Sequence, residues 1–112
     1  MKFDIKKVKI VVFVPLKFVE KVRKAACESG AGVIGNYTFC SSSNQVRGTF
    51  MPNESANPFI GRNNVMERVL EERIEFVCDV ENVKGVVESV RGEHPYEEPV
   101  IDIFPLLCEE DF

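Results

Sequence analysis

Near its start the chain has a short apolar run followed by an amphipathic segment. Residues 8–15 (VKIVVFVP) are rich in β-branched side chains and end in proline, a pattern typical of a strand that is covered on both faces and central in its sheet. Apolar residues then recur at helical spacing between charged ones, at Leu16, Val19, Val22 and Ala26. Gly30 is placed to end this helix as a left-handed cap. The pattern predicts a central first strand and a helix directly after it.

The middle of the chain, residues 31–64, has no helical period and is rich in Gly, Asn, Ser and Pro. The run SSSNQ (41–45) is typical of a hairpin tip, which predicts short strands near residues 37–41 and 46–51. The stretch MPNESANPFIGRNN that follows predicts a long irregular loop. Such loops are uncommon in compact domains and are usually functional or used in contacts.

Alternation of apolar and polar positions returns over residues 70–78 and predicts a further strand. Ile74, Phe76 and Cys78 share the apolar phase, and Glu71 lies in the polar phase. Glu72 breaks the pattern because it lies in the apolar phase. A carboxylate that points inward must be paired, hydrogen-bonded or functional, since isolated burial costs several kcal/mol.

A second amphipathic segment precedes the last strand. Valines recur there at i, i+3, i+4 and i+7, with Asp79 placed to cap the helix and Gly92 placed to end it. The run VIDIFPL (100–106) predicts a final strand, and Pro105 indicates a sheet edge or a strand end. The order β-α-β-β-β-α-β predicts an α+β, ferredoxin-like sandwich with both helices on one face of a mainly antiparallel sheet.

The face of this sheet without helices would be bare in a single chain. The first strand carries Val, Ile and Phe on both phases. Because large exposed apolar patches usually mark interaction sites, we expect another copy of the chain to cover that face. The pattern therefore predicts a homo-oligomer.

Composition indicates one domain over residues 1–112, with a core at about 8–106 and an acidic tail at 107–112. The net charge of −4 gives no case for nucleic acid, which normally requires a basic face. No apolar run reaches the roughly 20 residues of a membrane span. The four cysteines have no CxxC spacing, which favours buried free thiols over disulfides. Together these features favour a cytoplasmic protein.

The segment HPYEEP (94–99) contains the only histidine of the chain. His94 could ligate a divalent metal ion, with Glu97 or Glu98 adding oxygen donors, although a stable transition-metal site normally has three or four protein ligands. We favour the alternative, in which His94 is held extended by the following proline and hydrogen-bonds across a corner or an interface. In that alternative Tyr96, Glu97 and Glu98 form an interface strip in which the tyrosine ring is buried.

Glu72 is the other candidate for a functional side chain. Its inward phase predicts a partner such as Tyr37, His94 or Arg73 of the partner subunit. A carboxylate with a functionally perturbed pKa is the alternative to this buried pair.

Three segments together resemble a known family. GAGVIGNY (30–37), GTFMPNESANPFIG (48–61) and HPYEEP with VIDIFPL (94–106) resemble the PII/CutA-like domain inserted in YqfO-family proteins, often named homologues of GTP cyclohydrolase 1 type 2. The resemblance runs over about residues 8–106. The HPYE piece is also similar to the CutA divalent-cation-tolerance proteins, which form trimers. The resemblance thus implies a PII/CutA-like fold and favours a homotrimer over a dimer.

The YqfO-family proteins place a two-metal site in the domains that flank this insert, so the resemblance implies an insert standing alone and no enzymatic activity. We expect an oligomeric module that binds a small ligand or a divalent metal ion at subunit boundaries, or that acts as an accessory or regulatory protein. The alternative is a structural module that docks onto a separate protein partner, and a metal-dependent hydrolase is disfavoured. By analogy with PII-like trimers, a ligand cleft is expected at the subunit boundary, with Phe59 as one anchor and Phe50 as a second.

Overall fold

A four-stranded antiparallel sheet with two α-helices on one face forms the fold in the computed structural model, which describes residues 3–112. The strands follow the order β2-β3-β1-β4 across the sheet, and every neighbouring pair is antiparallel. The predicted α+β, ferredoxin-like class is confirmed. The elements are β1 (Lys7–Pro15), α1 (Val19–Glu28), β2 (Ser42–Phe50), β3 (Glu67–Asp79), α2 (Val83–Glu93) and β4 (Ile101–Leu106).

Strand β1 lies between β3 and β4, as its apolar run predicted. Alternate residues of β1 and β3 point toward the helices and meet the apolar stripes of α1 and α2 in one core. Phe76 is the largest of the fully buried side chains and is 1% exposed. The other main members are Val8, Ile10, Val12, Val14, Val22, Ala26, Ile74, Cys78, Val86 and Val90.

The predicted hairpin at SSSNQ is wrong, because residues 42–50 form the single strand β2. Strand β3 is 13 residues long, and its first nine residues pair with the whole of β2. Ser42 and Ser43 also donate hydrogen bonds to the carboxylates of Glu75 and Glu72. Sheet pairing therefore overrides the low strand preference of Ser and Asn, and the order of elements is β-α-β-β-α-β.

Both ends of the second helix differ from the predicted ones. Helix α2 continues through Gly92 to Glu93 and ends there because His94, at φ −82° and ψ 131°, precedes a proline whose ring disfavours helical backbone. At the other end, the Asp79 carboxylate makes no cap and accepts a hydrogen bond from Lys7 Nζ at 2.6 Å. A 3₁₀ turn over Val80–Asn82 leads into the helix instead.

The face of the sheet turned away from the helices, called the open face below, mixes apolar and charged side chains. Lys9 and Arg73 donate hydrogen bonds to the Glu75 carboxylate at 3.2 and 2.7 Å near its centre. These two donors hold the pKa of Glu75 below its usual range. Around them lie apolar residues such as Val11 on β1 and Phe104 on the edge strand β4, the latter 49% exposed. The open face is thus less uniformly apolar than the sequence pattern suggested.

Cys27 and Cys78 are buried free thiols, and burial raises the pKa of both. Cys40 and Cys108 are free as well but only partly buried. At the end of the chain, Glu109–Asp111 form a 3₁₀ turn, in which the backbone N–H of Cys108 donates to Asp111. In the part of the chain that the structure describes, no helix combines the length and the apolar character needed to cross a membrane.

Candidate functional site

A cleft of about 370 Å³ opens where two connecting segments meet over one end of the open face. One wall is the end of β2 together with residues 51–66, the loop that joins β2 to β3, called the long loop below. The other wall is residues 94–100, the segment between α2 and β4, called the HPYEEP segment. Glu71 of β3 forms the floor. The walls are contributed by Thr49, Phe50, Met51, Pro52, Asn53, Ala56, Pro58, Phe59, Ile60, Tyr96, Glu97, Glu98 and Val100.

The long loop is held against both the fold and the HPYEEP segment. The backbone N–H of Asn57 donates to Glu97 Oε1 at 3.2 Å, which joins the two walls of the cleft. The ring of Phe59 meets the ring of Phe18 edge-to-face, with 5.7 Å between the centroids. Within the loop, the N–H of Asn64 donates to the carbonyl of Pro52 at 2.6 Å. The loop is irregular in backbone but has defined anchors.

His94 fastens the HPYEEP segment to the centre of the sheet. Its side chain is 7% exposed, and its Nε2 lies 2.7 Å from the carbonyl oxygen of Phe13 in β1. Its Nδ1 accepts a hydrogen bond from the backbone N–H of Tyr96 at 3.2 Å. This pairing requires a neutral imidazole with the proton on Nε2, and burial lowers the pKa of His94 accordingly. His94 therefore hydrogen-bonds across a corner of its own chain.

Tyr96 links this fastening to the floor of the cleft. Its hydroxyl donates to Glu71 Oε2 at 3.0 Å, and its ring lies 5.0 Å from the His94 ring and 6.1 Å from the Phe50 ring, measured between centroids. Burial, with the Glu71 carboxylate second, raises the pKa of Tyr96, so its hydroxyl stays protonated and donates. Phe13, His94, Tyr96 and Glu71 form one continuous chain of hydrogen bonds from β1 to the cleft.

Gly48 makes room for the Glu71 carboxylate. A Cβ at position 48 would overlap Glu71 Oε1, because the two residues lie on the same face of neighbouring strands. A glycine inside a strand often marks a close approach of this kind. With Gly48 on one side and Tyr96 above, Glu71 is only 7% exposed although it belongs to the face without helices.

The structure brings together four of the residues that the sequence singled out. Tyr96, Glu97, Glu98 and Phe59 line the cleft, and the predicted second anchor, Phe50, lines it as well. His94 supports Tyr96 from behind and is not among the lining residues.

Glu72 and Tyr37 lie elsewhere. Glu72 faces the helix layer, accepts a hydrogen bond from Ser43 Oγ at 3.0 Å and lies 3.6 Å from Arg23 Nη2 of α1. A paired carboxylate was expected, but within the chain its partners are Arg23 and Ser43 in place of the expected Tyr37 or His94, because the apolar phase of β3 faces α1. Tyr37 is 75% exposed in a tight turn after α1, where its backbone pairs with Ile34.

Glu71 is the central residue of the cleft that the sequence pattern did not single out. Its alternation places it on the polar phase of β3, and that part was right. It is buried because the long loop and the HPYEEP segment fold over that end of the open face. The alternation of apolar and polar residues in β3 does not show which segments will cover the strand. Gly48 was the one available signal.

The predicted metal ligands, His94 and Glu97, both have protein partners. Both ring nitrogens of His94 are hydrogen-bonded, and a metal ion at either one would have to displace a protein group. Glu97 Oε1 accepts the Asn57 N–H. Within residues 3–112, no three His, Cys, Asp or Glu side chains are grouped as ligands for a metal ion.

Comparison with known proteins gives relatives at the level of both sequence and fold. The chain is 44% identical over 101 residues to the GTP cyclohydrolase 1 type 2 homolog of Halalkalibacterium halodurans, covering 90% of this chain and 27% of that protein. It is 41% identical over 98 residues to the protein of the same name from Bacillus subtilis, covering 88% and 26%. The chain thus spans about a quarter of the length of these relatives. No family model matches it.

Among solved structures, a Bacillus cereus protein related to NIF3 superposes with a TM-score of 0.82 at 38% identity, over 96% of this chain and 27% of that one. The predicted resemblance is confirmed. The periplasmic divalent cation tolerance protein CutA from Archaeoglobus fulgidus superposes with a TM-score of 0.67 at 18% identity, over 94% and 90% of the two chains. At that identity the CutA match supports the fold alone.

Proposed function

We propose that this chain is a non-enzymatic, self-associating module that binds a small ligand in the cleft between the long loop and the HPYEEP segment. The observation that carries this proposal is the Glu71–Tyr96 pair at the base of a largely apolar cleft. Small-molecule sites are typically concave and mostly apolar, with a few polar groups that fix orientation. A volume of about 370 Å³ lies within the usual range for such sites.

The cleft is formed by groups that are already in place. Tyr96 is fixed by His94 behind it and Glu71 below it, and the long loop is held by Asn57 and Phe59. A site whose walls are ordered before binding loses less entropy when a ligand enters. This favours a recognition site over a chance gap between loops.

Three probes that share a phenylethyl group and differ in the charge of the head group test ligand binding: 2-phenylethanol, 3-phenylpropionate and 2-phenylethylamine. We expect at least one of them to shift the backbone amide NMR signals of Ala56, Tyr96 and Glu97. Ala56→Trp, which fills the cleft with an indole, should abolish these shifts. If none of the three probes affects these signals at millimolar concentration, the cleft is not a binding site of this kind.

Self-association is supported by the exposed edges and the open face. Strand β2 is an edge strand, and most of its residues are exposed, so its outer backbone groups are free to pair. On the opposite edge, Ile103 and Phe104 are 46% and 49% exposed. The resemblance to CutA proteins noted from the sequence favours three copies. Sedimentation equilibrium at micromolar concentration should give about three times the chain mass of 12.7 kDa, and a stable monomer would contradict self-association.

A second candidate function, docking onto a separate protein, is favoured by one observation. The turn after α1 exposes four apolar side chains, between 46% and 75% exposed: Val33, Ile34, Tyr37 and Phe39. Exposed apolar clusters often mark interaction sites. An Ile34→Ser, Tyr37→Ser double variant that keeps its stoichiometry but loses a partner protein would support docking, whereas dissociation of the copies would assign the turn to self-association.

A further inference from the structure

The charged residues that line the cleft are all acidic. Glu71, Glu97 and Glu98 line it, and none of its lining residues within the described range 3–112 is Lys, Arg or His. A concave surface lined by one sign of charge, with apolar walls, concentrates its field and attracts the opposite charge. The field inside the cleft therefore favours a cation.

Glu71 differs from the other carboxylates of β3. Glu72 is paired with Arg23, and Glu75 is paired with both Arg73 and Lys9. Glu71 is more buried than either, yet in the part of the chain that the structure describes it forms no ion pair and accepts only the Tyr96 hydroxyl. A buried carboxylate without a cation is costly. A ligand that brings a positive charge would offset that cost.

The walls beside Glu71 fit an organic cation. The aromatic rings of Phe50, Phe59 and Tyr96 offer π faces and edges, and an ammonium or guanidinium group within about 6 Å of such a face is attracted by the ring quadrupole. Met51 and Val100 add apolar surface for the remainder of a ligand, and both are about half exposed. The cleft thus combines a buried anion with apolar walls on either side.

Building on the ligand-binding function proposed above, we infer that the cleft selects an organic cation, namely a protonated amine or a guanidinium group attached to an apolar body. The charged group hydrogen-bonds to the Glu71 carboxylate beside the Tyr96 hydroxyl. The apolar body lies between Phe50 and Phe59. Glu97 and Glu98 at the rim raise the local concentration of the cation.

The same three probes test this inference when their affinities are compared by titration. We expect 2-phenylethylamine to bind about tenfold more tightly than 2-phenylethanol, since a charge-assisted hydrogen bond is about twice as strong as a neutral one. 3-Phenylpropionate should bind more weakly than both. The affinity for the amine should fall as salt is added, because ions screen the rim charges.

Glu71→Gln keeps an acceptor for the Tyr96 hydroxyl and removes the negative charge. This variant should bind 2-phenylethylamine about tenfold more weakly, and its affinity for 2-phenylethanol should stay unchanged. Glu88→Gln, an exposed change on α2 outside the cleft, is the matched control and should alter neither. If Glu71→Gln does not fold, as judged by its circular dichroism, Glu98→Gln at the exposed rim replaces it, with an expected loss of about twofold.

Ligand binding in the cleft and its preference for an organic cation can fail separately. If no probe binds, the ligand-binding function itself is wrong. If 2-phenylethanol or 3-phenylpropionate binds as tightly as the amine and Ala56→Trp abolishes that binding, the cleft is a ligand site but the preference for an organic cation is wrong. An amine affinity that does not change in Glu71→Gln also overturns the inference. So does Mn²⁺ that displaces the amine and broadens the Tyr96 signals, because the site would then be a metal site.

Discussion

The core under the helices and the cleft on the open face are built in different ways. The core is made of regular structure: alternate residues of β1 and β3 meet the apolar stripes of two helices, and its buried members are Val, Ile, Phe, Ala and Cys. The cleft is made of two irregular segments laid over a strand end, with a buried imidazole and a buried carboxylate at its base. In the core, non-directional burial dominates. In the cleft, position depends on a few directional hydrogen bonds.

The core therefore supplies most of the stability of the fold, and the cleft supplies the specific positions of a few polar groups. Core side chains tolerate other apolar side chains of similar volume. The chain of hydrogen bonds from Phe13 through His94 and Tyr96 to Glu71 tolerates few replacements, since each buried polar atom requires its partner. Substitutions should therefore divide into those that lower overall stability and those that open the cleft while the core remains folded.

The largest loss of stability is expected from Phe76→Ala. Phe76 is 1% exposed at the centre of the core, and truncating a buried phenylalanine typically costs about 3–5 kcal/mol. Urea denaturation followed by circular dichroism measures the change. Phe112→Ala, at a position that is 86% exposed, is the control and should cost less than about 1 kcal/mol. Equal losses would mean that the burial of Phe76 does not stabilise the fold.

His94→Ala should come next, at about 2–3 kcal/mol, because it leaves the Phe13 carbonyl and the Tyr96 N–H without their partner. Amide hydrogen exchange should show faster opening of residues 94–100 than of β3 in this variant. Loss of protection that is uniform across the molecule would contradict a separate role for the cleft end.

The protonation of His94 makes the free energy of unfolding depend on pH. Burial lowers the pKa of His94 in the folded chain below its usual value of 6.5. Below about pH 6.5 the unfolded chain takes up a proton that the folded chain does not, so the free energy of unfolding falls as the pH falls. At higher pH both states are neutral and the full contribution is present. In His94→Gln this part of the difference between pH 7.5 and pH 5.5, measured by urea unfolding, should disappear.

Tyr96→Phe should cost about 1–2 kcal/mol, since it removes the hydroxyl that donates to the buried Glu71 carboxylate. Thermal denaturation measures the effect. Tyr37→Phe is the matched control, and at 75% exposure it should leave the melting temperature unchanged. If both variants have the melting temperature of the unchanged chain, the Tyr96–Glu71 hydrogen bond contributes nothing to the stability of the fold.

Glu72→Gln should have the smallest effect, below about 1 kcal/mol. Its carboxylate lies 3.6 Å from Arg23 and both side chains are about one-fifth exposed, and ion pairs with access to solvent contribute little. Urea denaturation at pH 7 is again the measurement. A loss as large as that of Tyr96→Phe would show that Glu72, and not Glu71, is the critical carboxylate of β3.

The sequence was informative where one period dominates. Both helices follow from the helical spacing of apolar residues, and the central position of β1 follows from its continuous apolar run. The edge position of β4 was indicated by Pro105. The hairpin at SSSNQ was wrong because composition there suggests a turn, whereas pairing with the long β3 makes it a strand. Phe59 and Tyr96 could be singled out from long motifs, but Glu71 could not, because its burial depends on segments distant in sequence folding over it.

The partners of β1 are far away along the chain. β1 occupies residues 7–15 and pairs with residues 71–79 and 101–106, and the His94–Phe13 hydrogen bond spans 81 positions. Contacts between residues so far apart along the chain require the closure of a large loop. The entropy of that closure is lost before the contacts stabilise the fold, which slows folding. During synthesis β1 is made before both of its partner strands and waits, with its apolar sides exposed, until residues 71–79 and 101–106 have emerged. The cleft, whose two walls meet only after the HPYEEP segment has been made, should form later than the pairing of β2 with β3.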